Sequence, residues 1–168
     1  MKHSARNPYD GWTPDLQVQA LKRCTYAVFI ATFGTGSLLL STWFELSVAL
    51  DIMLFFCMIV SFTVAGIVYA STGMMSSSEP YGLVRFSDEY CREIIFKGYR
   101  AVAWWLTALL LMGFILGDIL VSSMGFEAMS ISKTAGIYIL LTALIWAGSV
   151  SRALSDNADE DTTEEARD

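Results

Sequence analysis

Long apolar stretches alternate with charged segments along this chain. The apolar stretches lie at residues 24–44, 52–72, 101–121 and 134–151. Each is close to the roughly 20 mostly apolar residues that a helix needs to cross a bilayer. A backbone in lipid must satisfy its own hydrogen bonds, so we expect these stretches to be α-helices. The pattern therefore predicts an all-α integral membrane protein with four spans, because four such stretches are not expected in a soluble chain of 168 residues.

Helix-start signals precede spans one and three. The Thr-Pro-Asp sequence at 13–15 combines a capping residue, a proline and a first-turn acid, which predicts one helix over about 14–44. Two acids at the start of the second charged segment predict a helix over about 88–122. We call the charged segments at 14–23 and 88–100 the two leaders. The second leader also contains two acid-to-base pairs at helical spacing, Asp88–Arg92 and Glu93–Lys97.

Basic residues collect on one side of the predicted spans. All but one of the eleven lysines and arginines lie in the N-terminal segment, between spans two and three, or after span four; the exception is Lys133. By the positive-inside rule these three segments are cytoplasmic. We therefore expect an integral membrane four-helix bundle of two antiparallel hairpins, with both ends inside. The outer connections are mildly acidic and contain Glu45, Asp51, Asp118 and Glu127.

The predicted organisation has three parts. A cytoplasmic tail covers 1–13, and the membrane domain covers 14–152, with a cytoplasmic loop and leader at about 73–100. The segment 153–168 carries seven acidic residues and one arginine, a composition that predicts disorder. This acidic tail is either a solubilising segment or a docking segment for a basic partner, and the sequence leaves both interpretations open.

No sequence pattern for catalysis or metal binding is present. The one histidine, His3, lies in the predicted N-terminal tail, whereas metal, haem and triad chemistry need positioned imidazoles. The cysteines, Cys24, Cys57 and Cys91, form no CxxC motif, so we expect neither a disulfide nor a metal site. We therefore predict no enzymatic activity and no cofactor. The net charge of −6 gives no support for nucleic-acid binding.

Small and acidic residues leave several interpretations open. Gly113 and Gly117 form a GxxxG pattern, which predicts a close helix contact in span three. Small and weakly polar residues in span one, such as Thr32 and Ser37, suit internal packing, a dimer interface or a water-lined path. The four outer acids are either interfacial residues or the cation-attracting rim of a pore. No ionisable residue falls at the midplane of a span, which argues against a proton-coupled transporter.

The second leader carries a recognisable motif. Its residues Asp88, Glu89, Ile94, Lys97 and Gly98 follow the pattern D-E-x-x-x-x-I-x-x-K-G just before a tryptophan-bearing span. In this motif and in its span layout, the chain resembles small prokaryotic four-span membrane proteins of unknown function. Those proteins usually have Arg where this chain has Tyr90. The resemblance implies a bacterial or archaeal plasma-membrane protein and no particular activity.

Two hypotheses follow for the function. The first is a non-enzymatic regulatory, accessory or self-associating subunit that acts through a protein partner on the cytoplasmic side or through a second copy. Its predicted contact surface is the second leader, with Asp88, Glu89, Arg92 and Lys97 as exposed charges. The alternative is a small channel or transporter formed by oligomerisation, since four short spans are little material for a pore in one chain. In both, the lipid bilayer is the first partner.

Overall fold

The described residues form four long helices. The computed structural model describes residues 13–44, 46–72, 86, 88–124 and 131–165, except for the side chains of 114, 117–124, 131–132 and 157–165. The helices are α1 (Pro14–Trp43), α2 (Val48–Ala70), α3 (Glu89–Met124) and α4 (Ile131–Glu165). No strand occurs among the described residues. The predicted all-α class is therefore confirmed.

Each of the four helices is long and apolar enough to cross a membrane. Their candidate spans have mean hydropathies of 1.4, 2.4, 1.3 and 1.6 in chain order. Large apolar side chains are widely exposed on them, including Phe33 on α1, Phe56 on α2 and Trp104 on α3. Such surfaces are costly in water and favourable in lipid. The predicted number of span-length helices is thus confirmed.

The starts of α1 and α3 follow the predicted capping signals closely. α1 begins at Pro14, after Thr13, whose Oγ1 accepts a hydrogen bond from the Leu16 backbone nitrogen at 3.5 Å. α3 begins at Glu89, one residue after the predicted start. Local hydrogen bonding and the helix dipole decide these boundaries, so the sequence is sufficient to find them.

The helices lie side by side in the order α2–α1–α4–α3. α1 packs against both α2 and α4, and α3 packs mainly against α4. Among the described residues, α2 has no comparable contact with α3 or α4. The arrangement is therefore an open row, whereas a closed bundle would also pair α2 with α3. As a result, most of the surface of α2 is exposed.

Small residues bring α1 close to α2. A Cβ built on Gly34 would lie 3.0 Å from the Ser61 Cβ and 3.4 Å from the Met58 carbonyl oxygen, so the two backbones are nearly in contact. The buried hydroxyls of α1 are satisfied within the helix: Thr32 Oγ1 donates to the Val28 carbonyl at 2.7 Å, and Ser37 Oγ to the Phe33 carbonyl at 3.0 Å. These contacts favour internal packing among the three interpretations of span one.

α4 extends past the predicted end of span four. Span four was predicted to end near 151, and α4 continues to Glu165. Leu154 is buried and Ala153 packs against the same apolar cluster. Arg152 Nε also lies 3.9 Å from Asp156 Oδ2, an ion pair at helical spacing. Packing of Ala153 and Leu154 against this cluster explains why the helix continues past Arg152.

Candidate functional site

Three helices meet in a buried cluster at one end of the molecule. Residues from α1, α3 and α4, together with Phe86, form it: Leu21, Phe86, Cys91, Ile94, Ile95, Val150 and Leu154. Val18, Tyr90, Trp146 and Ala153 pack against them. We call this region, which contains both leaders and the part of α4 around 146–156, the leader end. Because the leaders share a core, they form one folded surface.

A buried amide connects the two leaders. The Gln17 side chain is only 1% exposed, and its Oε1 accepts a hydrogen bond from the Asp88 backbone nitrogen at 3.1 Å. Asp88 Oδ2 in turn accepts from the Cys91 backbone nitrogen at 3.1 Å, which is the geometry of a helix N-cap. The first leader therefore holds the residue that starts α3. Gln17 lies on the same helix face as Leu21 and Cys24, and this was the sequence signal for its burial.

The position of Asp88 corrects one prediction. We expected an exposed charge paired with Arg92, but the Asp88 carboxylate is partly buried and caps α3. No Asp88–Arg92 ion pair occurs in the described part of the chain. Since a capping carboxylate is occupied by its own helix, Asp88 contributes little to a contact surface.

The other three predicted contact residues are exposed on α3. Glu89 and Arg92 line a surface cavity together with Glu93, Phe96 and Arg100. Lys97 Nζ lies 3.0 Å from Glu93 Oε1, which confirms the second of the two predicted ion pairs. Phe96 is 55% exposed amid these charges. The outward face of α3 thus carries charges of both signs around an exposed aromatic ring.

Gly98 brings α3 close to α4 at the leader end. A Cβ on Gly98 would lie 2.9 Å from Val150 Cγ2 and 3.1 Å from Trp146 Nε1. The indole nitrogen of Trp146 is buried and has no hydrogen-bond partner among the described residues. The sequence motif contains Gly98 but does not indicate this role in helix packing. In the predicted GxxxG pair, Gly113 lies near α4: a Cβ built on it would be 3.9 Å from the Tyr138 hydroxyl. The surroundings of Gly117 lie outside the described part of the structure.

Of the four acidic residues in the predicted outer rim, the structure describes the side chain of one, Asp51. Asp51 lies in the first turn of α2, and its Oδ1 accepts a hydrogen bond from Ser41 Oγ at 3.1 Å. This bond joins the ends of α1 and α2. Glu45, Glu127 and the side chain of Asp118 lie outside the described residues. Near this end, a cavity between α1 and α4 is lined by apolar and glycine residues such as Gly36, Trp43 and Ile137.

Metal-ligating residues do not cluster in the described part of the chain. No group of three or more His, Cys, Asp and Glu residues there has the geometry to hold a metal ion. All three cysteines carry free thiols, and Cys24 and Cys91 are buried.

Comparisons of this chain with known protein families, with curated proteins and with solved structures give no match. The residues of the leader end are therefore the basis for a functional assignment.

Proposed function

We propose that this chain is a multi-pass protein of a prokaryotic plasma membrane that acts, without catalysis, as a regulatory, accessory or self-associating subunit. Four span-length helices support the membrane assignment. The cytoplasmic orientation of both ends is inferred from the distribution of lysine and arginine. The partner would bind on the cytoplasmic side, at the leader end.

Contacts at both ends of the helices support two antiparallel hairpins. Arg23 Nη1 donates to the Ser71 carbonyl at 3.0 Å, just after α2, and Ser41 contacts Asp51 at the other end. In the second pair of helices, Gly98 meets Val150, and Gly113 meets Tyr138. These contacts, at two levels in each pair, support an antiparallel arrangement of the two helices. Arg23 also places a cation at the negative C-terminal end of α2, which is favourable.

The observation that carries the proposal is the shared core of the two leaders. A solubilising surface needs only charge, whereas here a buried amide and seven buried side chains position the α3 leader. Its inward face is occupied by the core, and its outward face presents Glu89, Arg92 and Phe96. A rigid surface loses less conformational entropy on binding than a free segment does. This arrangement suits a protein contact surface.

Partner capture from the native membrane tests the proposal. We would extract the tagged full chain gently and compare it with Arg92→Glu and with a matched control, Lys22→Glu, which reverses an exposed charge on the α1 leader. We expect a second protein, or a second copy, at fixed stoichiometry with the native chain and with the control, and its loss with Arg92→Glu. A lone monomer, or capture unchanged by Arg92→Glu in a normally inserted protein, would refute the assignment.

A further inference from the structure

A groove runs between α3 and α4 at the leader end. Its volume is about 340 Å³, and its walls carry Glu93 and Lys97 on one side and Ser149, Arg152 and Asp156 on the other. Small-molecule sites typically measure about 300–1,000 Å³, so a compact polar group fits here. The groove lies beside the outward face of α3, and Arg92 and Glu89 do not line it. We call it the α3–α4 groove.

The four charges of the α3–α4 groove are arranged in two layers. Gly98 packs against Val150, and Gly113 lies near Tyr138. Residue numbers therefore increase along α3 in the direction in which they decrease along α4, as in an antiparallel pair. Lys97 is therefore level with Arg152, and Glu93 is level with Asp156. The acids lie one helical turn, about 6 Å, farther from the apolar parts of the helices. The groove thus has a cationic layer nearer the apolar region and an acidic layer beyond it.

The cationic layer lies at the depth of lipid headgroups. The apolar stretch of α3 begins at Ala101 and that of α4 ends at about Ser151. Lys97 precedes Ala101 by one turn, or about 6 Å. The polar headgroup region is about 5–7 Å thick on each side of the hydrocarbon core. If α3 and α4 cross a bilayer, Lys97 and Arg152 would therefore lie at the level of the phosphates of neighbouring lipids.

The charged groups of the groove can exchange their present partners. Lys97 Nζ is 3.0 Å from Glu93 Oε1, and Arg152 Nε is 3.9 Å from Asp156 Oδ2, and all four side chains are more than half exposed. Exposed ion pairs of this kind contribute little to stability. Ammonium and guanidinium groups also have several donors each, so one contact does not saturate them. A ligand with both charges can replace these pairs without leaving a charge unpaired.

We propose that the α3–α4 groove binds the headgroup of a phospholipid that carries both a phosphate and a primary ammonium group. Lys97 and Arg152 bind the phosphate, and Glu93 and Asp156 bind the ammonium. In such a lipid the phosphate is next to the glycerol and the ammonium is at the distal end, which is the order of the two layers. Phosphatidylglycerol carries its charge on the same phosphate but has neutral hydroxyls at the distal end, which give the acids no counter-charge, and a trimethylated ammonium lacks hydrogen-bond donors.

Lipid retention by the purified protein tests this site. The full chain would be mixed in detergent with equal amounts of phosphatidylethanolamine, phosphatidylcholine and phosphatidylglycerol of identical acyl chains, and the bound lipid measured by native mass spectrometry. We expect phosphatidylethanolamine to be retained about tenfold better than the other two, as expected from charge-assisted hydrogen bonds. Glu93→Gln with Asp156→Asn should remove this preference. Lys97→Gln with Arg152→Gln should weaken retention of all three lipids.

A matched double variant controls for general charge effects. Glu89→Gln with Arg92→Gln neutralises one acid and one base on the outward face of α3, and it should leave the lipid preference unchanged. Unfolding temperatures of all variants would establish that each is folded. Equal retention of the three lipids by the native chain, a preference for phosphatidylglycerol, or an equal effect of the control variant would overturn the proposal. The proposal rests on the membrane assignment of the proposed function but not on partner capture, because the lipid-retention experiment contains no partner protein.

Discussion

Gln17 and Asp88 are 71 positions apart, and a 3.1 Å hydrogen bond joins the Gln17 side-chain oxygen to the Asp88 backbone nitrogen. Asp88 is the residue that caps α3, so one polar side chain of α1 holds the start of another helix. The amide is almost fully buried, and a buried polar group is stable only when it is hydrogen-bonded. This bond therefore helps to fix how the two leaders fit together, and the proposed contact surface depends on it.

Replacing Gln17 tests how much this connection stabilises the protein. Gln17→Leu keeps a similar volume but removes the acceptor, which leaves the Asp88 nitrogen without its partner. We expect a loss of about 1–3 kcal/mol in the free energy of unfolding. Equilibrium denaturation in mixed micelles would measure it. Gln19→Leu, at an exposed position of the same leader, should change the free energy by less than about 0.5 kcal/mol. Equal effects of the two variants would contradict the structural role of Gln17.

The capping role of Asp88 predicts that two substitutions of this residue have different effects on stability. Asp88→Ala removes the acceptor for the Cys91 nitrogen and should destabilise the protein by about 0.5–2 kcal/mol. Asp88→Asn should retain most of the stability because Asn caps helices about as well as Asp does. The same denaturation experiment distinguishes the two. If Asn were as damaging as Ala, the negative charge, and not the cap, would be what matters.

Substitution of Gly98 tests the close approach between α3 and α4. In Gly98→Ala the new methyl group would lie 2.9 Å from the stiff Val150 side chain and 3.1 Å from the Trp146 ring, and we expect a loss of about 1–3 kcal/mol from overpacking. Gly148→Ala on α4 meets no atom within 4 Å and should be neutral or stabilising by about 0.5–1 kcal/mol. Unfolding of both variants in the same micelles provides the comparison. Tolerance of Ala at position 98 would mean that the helices are less closely packed.

The proposed orientation predicts which residues a membrane-impermeant thiol reagent reaches. A cysteine at Glu89, on the exposed face of α3, should be labelled only after the membrane is permeabilised. A cysteine at the exposed Ser47, just before α2, should be labelled in intact cells. Native Cys24 and Cys91 are buried, and labelling of the unsubstituted chain measures the background from the native cysteines. The opposite labelling pattern would reverse the orientation and place the leader end outside.

Local features of the sequence were enough to predict the helices. Spans are read from hydropathy and length, which are properties of neighbouring residues, and the four span-length helices follow from them. The start of α1 after Thr13 is likewise a matter of one cap and one proline. The Glu93–Lys97 pair was predictable because four residues make one helical turn.

Tertiary structure decided the surroundings of the side chains. Asp88 was predicted to be an exposed charge because its sequence neighbours are polar, but Gln17 and the buried cluster, which come from distant parts of the chain, place it as a cap. Leu154 extended α4 beyond its predicted end for the same reason, because its apolar contacts lie on another helix. The α3–α4 groove requires Lys97 and Arg152 at one level, and the packing of α3 against α4, which is closest at Gly98, sets that level. Sequence alone determines where the span-length helices lie, but contacts between distant segments determine how far α4 extends and which residues are exposed.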